Sequence, residues 1–151
     1  MPEIVAGWRA VEEQLGGRRD EARAQRDARR AERIERRPLI NDLAYFVLCW
    51  GQLEIAVNDK CRAVVRRRQA ERSWDRRRAW DLYNPDNLRL TFEDRVALLA
   101  DRGSGRGGTY NRILFYYNLR NRAAHGAFDV NRIDIERGAA EFQTLVGRLA
   151  T

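Results

Sequence analysis

The stretch LINDLAYFVLCWGQLEIAVNDKCRAVVRRRQAER, residues 39–72, decides the fold. Apolar side chains recur along it at alternating steps of three and four: Ile40, Leu43, Val47, Trp50, then Glu54, then Val57, Cys61 and Val64. That spacing places them on one face of an α-helix and predicts a long helix packed along its length. Glu54 is the charged residue in the seam. A carboxylate is costly to bury unless it is paired or hydrogen-bonded. Either Glu54 meets a cation from another helix, or the seam opens into a polar cleft at that level.

On the N-terminal side, Ile4, Trp8, Val11 and Leu15 mark one face of a short amphipathic helix. Gly16 and Gly17 should weaken or end it, because glycine is a poor helix former. Residues 18–37, RRDEARAQRDARRAERIERR, read as a charge-dense helix with a thin apolar stripe of Ala24, Ala28, Ala31 and Ile34, closed by Pro38. Residues 1–37 are thus expected to form a helical arm, and residues 38–151 the domain proper. Such an arm is a solvated or coiled-coil-like helix, a nucleic-acid-binding arm, or a device for recognising a partner or regulating the cleft.

On the C-terminal side, residues 73–90 (SWDRRRAWDLYNPDNLRL) are irregular: a helix end, a short helical turn and a loop at residues 84–87. Trp74, Trp80 and Tyr83 lie among Arg76, Arg77 and Arg78. These rings either cover the end of the core or stack nucleobases. Thr91 and Asp94 form a capping box ahead of a helix whose Phe92, Val96 and Leu99 face inward. RGSGRGG, residues 102–108, follows no strand and lacks the Gly-Lys-Ser/Thr ending of a nucleotide-phosphate loop, so it reads as a flexible connector. Thr109 should cap the next helix, which runs to a stop at Gly126. A last helix over residues 131–149 carries Ile135, Phe142, Val146 and Leu149 on one side. The result is an all-α bundle of four to five helices with an N-terminal helical arm.

A chain of 151 residues that is 44% hydrophobic can close one sizeable core. The 29 Lys+Arg against 22 Asp+Glu leave a net charge of +7, and Lys60 is the only lysine. Guanidinium groups grip planar anions with two parallel donors, so phosphate is the natural partner class. The plain alternative is arginine used for surface solubility. No apolar run approaches the roughly 20 residues of a membrane span, and the N-terminus lacks the basic start and apolar run of a signal peptide. Cys49 and Cys61 fall in one helical stretch and read as reduced thiols of a cytoplasmic protein. His125 is the only histidine, which argues against a zinc site of the usual Cys/His spacing. No metal or cofactor is expected.

The helix over residues 109–125 repeats the anomaly seen at Glu54. Tyr110, Ile113 and Tyr117 lead by three-and-four steps to Arg120 and then Ala124, so Arg120 falls where an apolar residue is expected. Asn121 is beside it, and His125 lies one turn beyond Asn121 on the same face. One helix end presents a guanidinium, an amide and the imidazole. Glu54 is the acidic counterpart if the two long helices pack together. A purely structural ion pair of Glu54 with Arg120, with His125 favoured by the helix dipole, is the bland alternative.

The segment LRNRAAHG, residues 119–126, resembles the signature of the HEPN superfamily (higher eukaryotes and prokaryotes nucleotide-binding). In that family an Arg, commonly followed by a polar residue such as Asn, is separated by four to six residues from a His near a helix end. Arg120, Asn121 and His125 match with four intervening residues. The helix holding WGQLE is similar to the family's earlier helix, which often carries an acidic residue near the site. The resemblance covers residues 39–149 in helix order and leaves the arm outside. It implies a helical bundle that forms a homodimer, with two copies of the Arg and His meeting in a cleft at the interface. It further implies metal-independent endoribonuclease activity, in a toxin, in phage defence or in RNA processing, with a protein inhibitor or antitoxin as a further partner. Some members are inactive and serve as binding modules. Toxins neutralised by a nucleotidyltransferase often carry Tyr two residues after the His; here that position is Ala127, followed by Phe128, so such modification is not expected.

The chemistry stands on its own terms. RNA carries its nucleophile, the 2′-hydroxyl, and cleavage needs a base, an acid and charge stabilisation at phosphorus. Imidazole titrates near neutral pH and suits the proton transfers. A guanidinium can bind two non-bridging oxygens and stabilise their added charge. One imidazole per chain does not easily serve as acid and base together, whereas a twofold dimer supplies two. The expected roles are His125 as general base or acid, Arg120 on the scissile phosphate, Asn121 orienting His125 or bonding a phosphate oxygen, Glu54 positioning Arg120, and Arg122 adding a phosphate contact. The rival reading is a non-catalytic helical module that binds nucleic acid or a protein partner.

Overall fold

The computed structural model describes residues 1–35, 37–125 and 132–149. Among the described residues the protein is all-α, with helices α1 (Pro2–Ala24), α2 (Ala28–Glu35), α3 (Arg37–Gln69), α4 (Trp74–Arg77), α5 (Phe92–Leu99), α6 (Thr109–Ala124) and α7 (Ile135–Arg148). No described helix is long and apolar enough to cross a membrane. The chain groups into two compact units: Met1–Gln52 with Leu119–Gln143, and Leu53–Asn118 with Thr144–Thr151.

In the first unit, α1 runs unbroken through Gly16 and Gly17, the glycines expected to weaken or end it, and does not end there. Each glycine costs a helix about 1 kcal/mol against alanine, and buried Leu15 and Ala22 on either side anchor the helix against that loss. The break falls later. The backbone turns at Arg26, whose φ of 53° lies in the left-handed region. Asp27 restarts the helix by accepting the Arg30 N–H at 2.9 Å. α2 packs back against α1, with Ala22, Ala31 and Ile34 as a small shared core. Arg23 with Glu35 (2.7 Å) and Arg30 with Glu21 (3.4 Å) flank it. Of the expected single helix over residues 18–37, residues 18–35 therefore form part of a helical hairpin instead, and Ala24 and Ala28 of the expected stripe are exposed. Pro38, expected to close the arm, stands in the first turn of α3, where its missing N–H costs no hydrogen bond.

The part of α3 in this unit buries Leu43, Phe46, Cys49 and Trp50. Ile40, expected in the seam, is 55% exposed. The Phe142 ring of α7 packs against Phe46 at 5.9 Å and edge-on to Trp50 at 6.2 Å between centroids. Asp134 caps α7 through the Arg137 N–H at 2.9 Å. The last helix therefore starts at Ile135, later than the expected 131, because described residues 132–134 are not helical and carry Arg132 and the Ile133 N–H to Asp42. Asn131 itself and the expected stop at Gly126 lie outside the described residues.

In the second unit, α3 buries Leu53, Val57, Cys61, Val64 and Val65. Leu53, not Glu54, fills the buried row, and Glu54 sits half-buried beside it. Gln69 Nε2 donates to the carbonyls of Trp80 (2.9 Å) and Tyr83 (2.8 Å), which pins the irregular segment to the end of α3. α5 is capped as the sequence predicts: Thr91 Oγ1 accepts from Asp94 N at 3.1 Å, and Phe92, Val96 and Leu99 are buried. The glycine-rich residues 102–108 fold into successive hydrogen-bonded turns, with Gly105 at φ 67°. A Cβ on Gly108 would lie 2.7 Å from the Ser104 backbone carbonyl oxygen. That close approach admits glycine alone. Gly108 accordingly takes the cap position of α6, its carbonyl accepting from Arg112 N at 3.0 Å, and Thr109, expected as the cap, is the first helical residue. Tyr110, Ile113 and Tyr116 face this unit's core, and half-buried Tyr117 stacks on Phe92 at 5.0 Å.

Candidate functional site

The last turn of α6 belongs to the first unit and carries Arg120 and Asn121, with exposed Arg122 following. Arg120 is half-buried, and its Nη1 donates to Asn121 Oδ1 at 3.0 Å. A guanidinium can only donate, so the amide must present its oxygen to Arg120 and turn its NH₂ away. Arg120 Nε is buried without an acceptor among the described residues. His125 is the first residue past the helix and is exposed. Its backbone N–H donates to the Asn121 carbonyl at 3.1 Å, which extends the helical turn by one residue. Asn121 thus holds Arg120 with its side chain and the His125 backbone with its main chain. The helix C-terminus carries partial negative charge that favours the Arg120 guanidinium.

Chemically, this end offers a fixed guanidinium, an amide whose remaining donors are free of Arg120, and an accessible imidazole that can take or give a proton. Glu54 belongs to the second unit and is half-buried there. Ala127 and Phe128 lie outside the described residues. Among the described residues, no group of three or more His, Cys, Asp or Glu side chains is placed to hold a metal ion.

The fully buried charge of α3 is Asp42, which the sequence reading passed over. Trp8 Nε1 donates to Oδ1 at 2.9 Å, and Arg132 donates Nε to Oδ2 at 2.7 Å and Nη2 to Oδ1 at 3.0 Å. The Ile133 N–H adds a bond to Oδ2 at 3.3 Å. Arg132 also reaches Glu12 at 2.8 Å, and Glu12 accepts from Asn41 at 3.0 Å. Hydrogen bonding to Asp42 raises the Arg132 pKa above its ordinary value, and Glu12 adds to that. Every carboxylate oxygen of Asp42 is satisfied, so the cluster ties α1, α3 and the entry to α7 together within the first unit. The signal for it lay one step from the chosen seam: Asp42, Phe46, Cys49 and Leu53 also follow three-and-four spacing.

Compared with known proteins, the chain matches no protein-family model, no curated protein and no solved structure.

Proposed function

We propose that this protein is a HEPN-like, metal-independent endoribonuclease that works as a homodimer. The observation that carries the reading is the bonding of Asn121, which fixes Arg120 beside it and leads directly into exposed His125. In the proposed reaction a His125 imidazole removes the 2′-hydroxyl proton. The 2′-oxygen attacks phosphorus, the bond to the 5′-oxygen breaks, and the second subunit's imidazole protonates that oxygen. The products are a 2′,3′-cyclic phosphate and a 5′-hydroxyl. Arg120 binds non-bridging oxygens and stabilises their growing charge. The Asn121 NH₂ supports the same oxygens, and Arg122 adds a phosphate contact. A cavity of about 400 Å³ in the first unit, lined by Arg18, Arg30, Arg33 and Arg37 with Glu21 and Ile34, supplies a positive surface suited to RNA.

The test is incubation of single-stranded RNA with the protein in EDTA, beside His125→Ala. The reading requires fragments with 2′,3′-cyclic or 3′-phosphate ends from the parent alone, and growth arrest on expression of the parent alone. Intact RNA with undiminished, salt-sensitive binding by both proteins would replace it with the non-catalytic binding module.

A further inference from the structure

We propose that residues 66–89 of the second unit form a binding site for single-stranded nucleic acid, built around Trp74 and Tyr83 and separate from the residues assigned to cleavage. Trp74 is 60% exposed, and the Arg78 guanidinium lies 5.3 Å from its ring centroid. Leu82 beside Tyr83 is 85% exposed. Trp80 and Tyr83 pack ring to ring at 6.1 Å. Half-buried Tyr83 is a wall shared by two cavities. One, of about 430 Å³, is lined by Leu82, Asn84, Asn87 and Arg89 as well. The other, of about 380 Å³, has Leu90, Ala97 and Leu98 as apolar lining, with Asp94 and Arg102 at its polar side. Both volumes are in the range that accepts a small planar ligand.

The charge around these rings is unbalanced. Residues 66–89 hold eight arginines and four acidic residues. Glu71, Asp81 and Asp86 are engaged by Arg68 (2.7 Å), Arg77 (3.5 Å) and Arg66 (2.5 Å). Arg72, Arg76, Arg78 and Arg89 are exposed and form no ion pair with a described residue, and Asp75 is the one acid left to offset them. An exposed indole and a half-buried phenol beside surplus guanidinium groups match a ligand that alternates planar rings with negative charge. Stacking on the rings tolerates any base, and the arginines follow the backbone phosphates. The Asn84 and Asn87 amides lining the larger cavity can bond a base edge. A base-paired duplex buries its ring faces and offers nothing for Trp74 or Tyr83.

That the strand is RNA rests on the ribonuclease reading; the site itself does not. Binding is therefore measured with full-length His125→Ala, by fluorescence anisotropy. The probes are a labelled RNA of about 12 nucleotides, the DNA of the same sequence and the duplex, compared over a salt series. Single-stranded RNA should bind at least as well as DNA, and both better than duplex. Trp74→Ala should weaken binding about tenfold. Tyr83→Phe should bind like its parent and Tyr83→Leu should not. Arg76→Gln, Arg78→Gln and Arg89→Gln together should reduce the slope of log Kd against log salt by about 2. An unchanged Kd in Trp74→Ala together with an unchanged slope in the triple variant overturns the proposal. So does equal binding of duplex, binding of DNA alone, or complete competition by polyglutamate. If the parent fails to cut RNA while His125→Ala binds through Trp74, the cleavage reading falls and this site stands. If the parent cuts and the Trp74 and arginine variants bind normally, only this site falls.

Discussion

Arg132 grips the fully buried carboxylate of Asp42 with two parallel donors, Nε on Oδ2 at 2.7 Å and Nη2 on Oδ1 at 3.0 Å. The Arg132 side chain remains 53% exposed, so solvent screens the charge attraction and the pair's value lies in satisfying a carboxylate that has no access to water. Asp42→Ala strands the Trp8 and Ile133 N–H donors along with Arg132. It should destabilise the protein by about 2–4 kcal/mol in urea unfolding. Arg132→Gln keeps a donor near Asp42 and should cost less, about 1–2 kcal/mol. A loss below about 0.5 kcal/mol in Asp42→Ala would show that the first unit does not depend on this contact.

Cys61 is fully buried and its thiol donates to the Arg95 carbonyl at 3.1 Å. Burial pushes the thiol up to about 11 from an ordinary 9.0. The folded state then holds this proton more tightly than the unfolded state. Its contribution to stability is complete below pH 9.0 and is lost as pH rises towards about 11. Unfolding midpoints measured from pH 8 upward should fall across that window, and Cys61→Ala should flatten the fall while lowering stability at pH 8. Iodoacetamide at pH 8 should leave Cys61 unmodified in the folded protein and label it in urea. Rapid labelling of Cys61 under native conditions would contradict its placement.

The helical hairpin at the N-terminus gives three substitutions at two positions. Gly17 is exposed in the interior of α1, and a Cβ there meets nothing within 4 Å. Gly17→Ala should raise stability by about 0.5–1 kcal/mol. Arg26 adopts φ 53°, which a side chain disfavours and glycine tolerates. Arg26→Gly should stabilise the turn, whereas Arg26→Val should destabilise it by about 1 kcal/mol or more. Thermal unfolding followed by circular dichroism measures all three, and stabilisation by Arg26→Val would mean that the chain does not turn there.

Helical class was legible because spacing along one segment is enough to reveal it, and the Thr91 and Asp94 cap because its parts lie three residues apart. The exact face of α3 was not. The rows through Phe46 and Leu53 and through Val47 and Glu54 share Trp50, Val57 and Cys61, so pattern alone leaves the rotation of the helix open. Contact with the ring of Phe142 decides it in the first unit. That rotation moved the buried charge from Glu54 to Asp42, whose partner Arg132 lies 90 residues away with no local signal. The turn at Arg26 was hidden for a different reason: no glycine or proline marks it. Arg120 and Asn121 could be grouped because they are neighbours on one helix end. In the proposed dimer, the meeting of two such ends would be set by surface fit, which residue spacing does not encode.

The proposed catalytic assignment separates the roles of its residues by size of effect. His125→Ala should lower RNA cleavage by about 100-fold or more, as expected for loss of a general acid–base group. Arg120→Lys keeps a charge but loses the planar fork and the bond geometry to Asn121, and should lower the rate by about 100-fold without matching loss of RNA affinity. Asn121→Ala releases Arg120 while leaving both reactive groups, so a smaller fall, about tenfold, is expected. Because each chain supplies a single imidazole, specific activity should also fall on dilution. The midpoint should coincide with dimer dissociation measured by sedimentation. Cleavage that survives unchanged in His125→Ala, or that keeps its specific rate at concentrations where only monomer sediments, would remove the shared two-imidazole cleft.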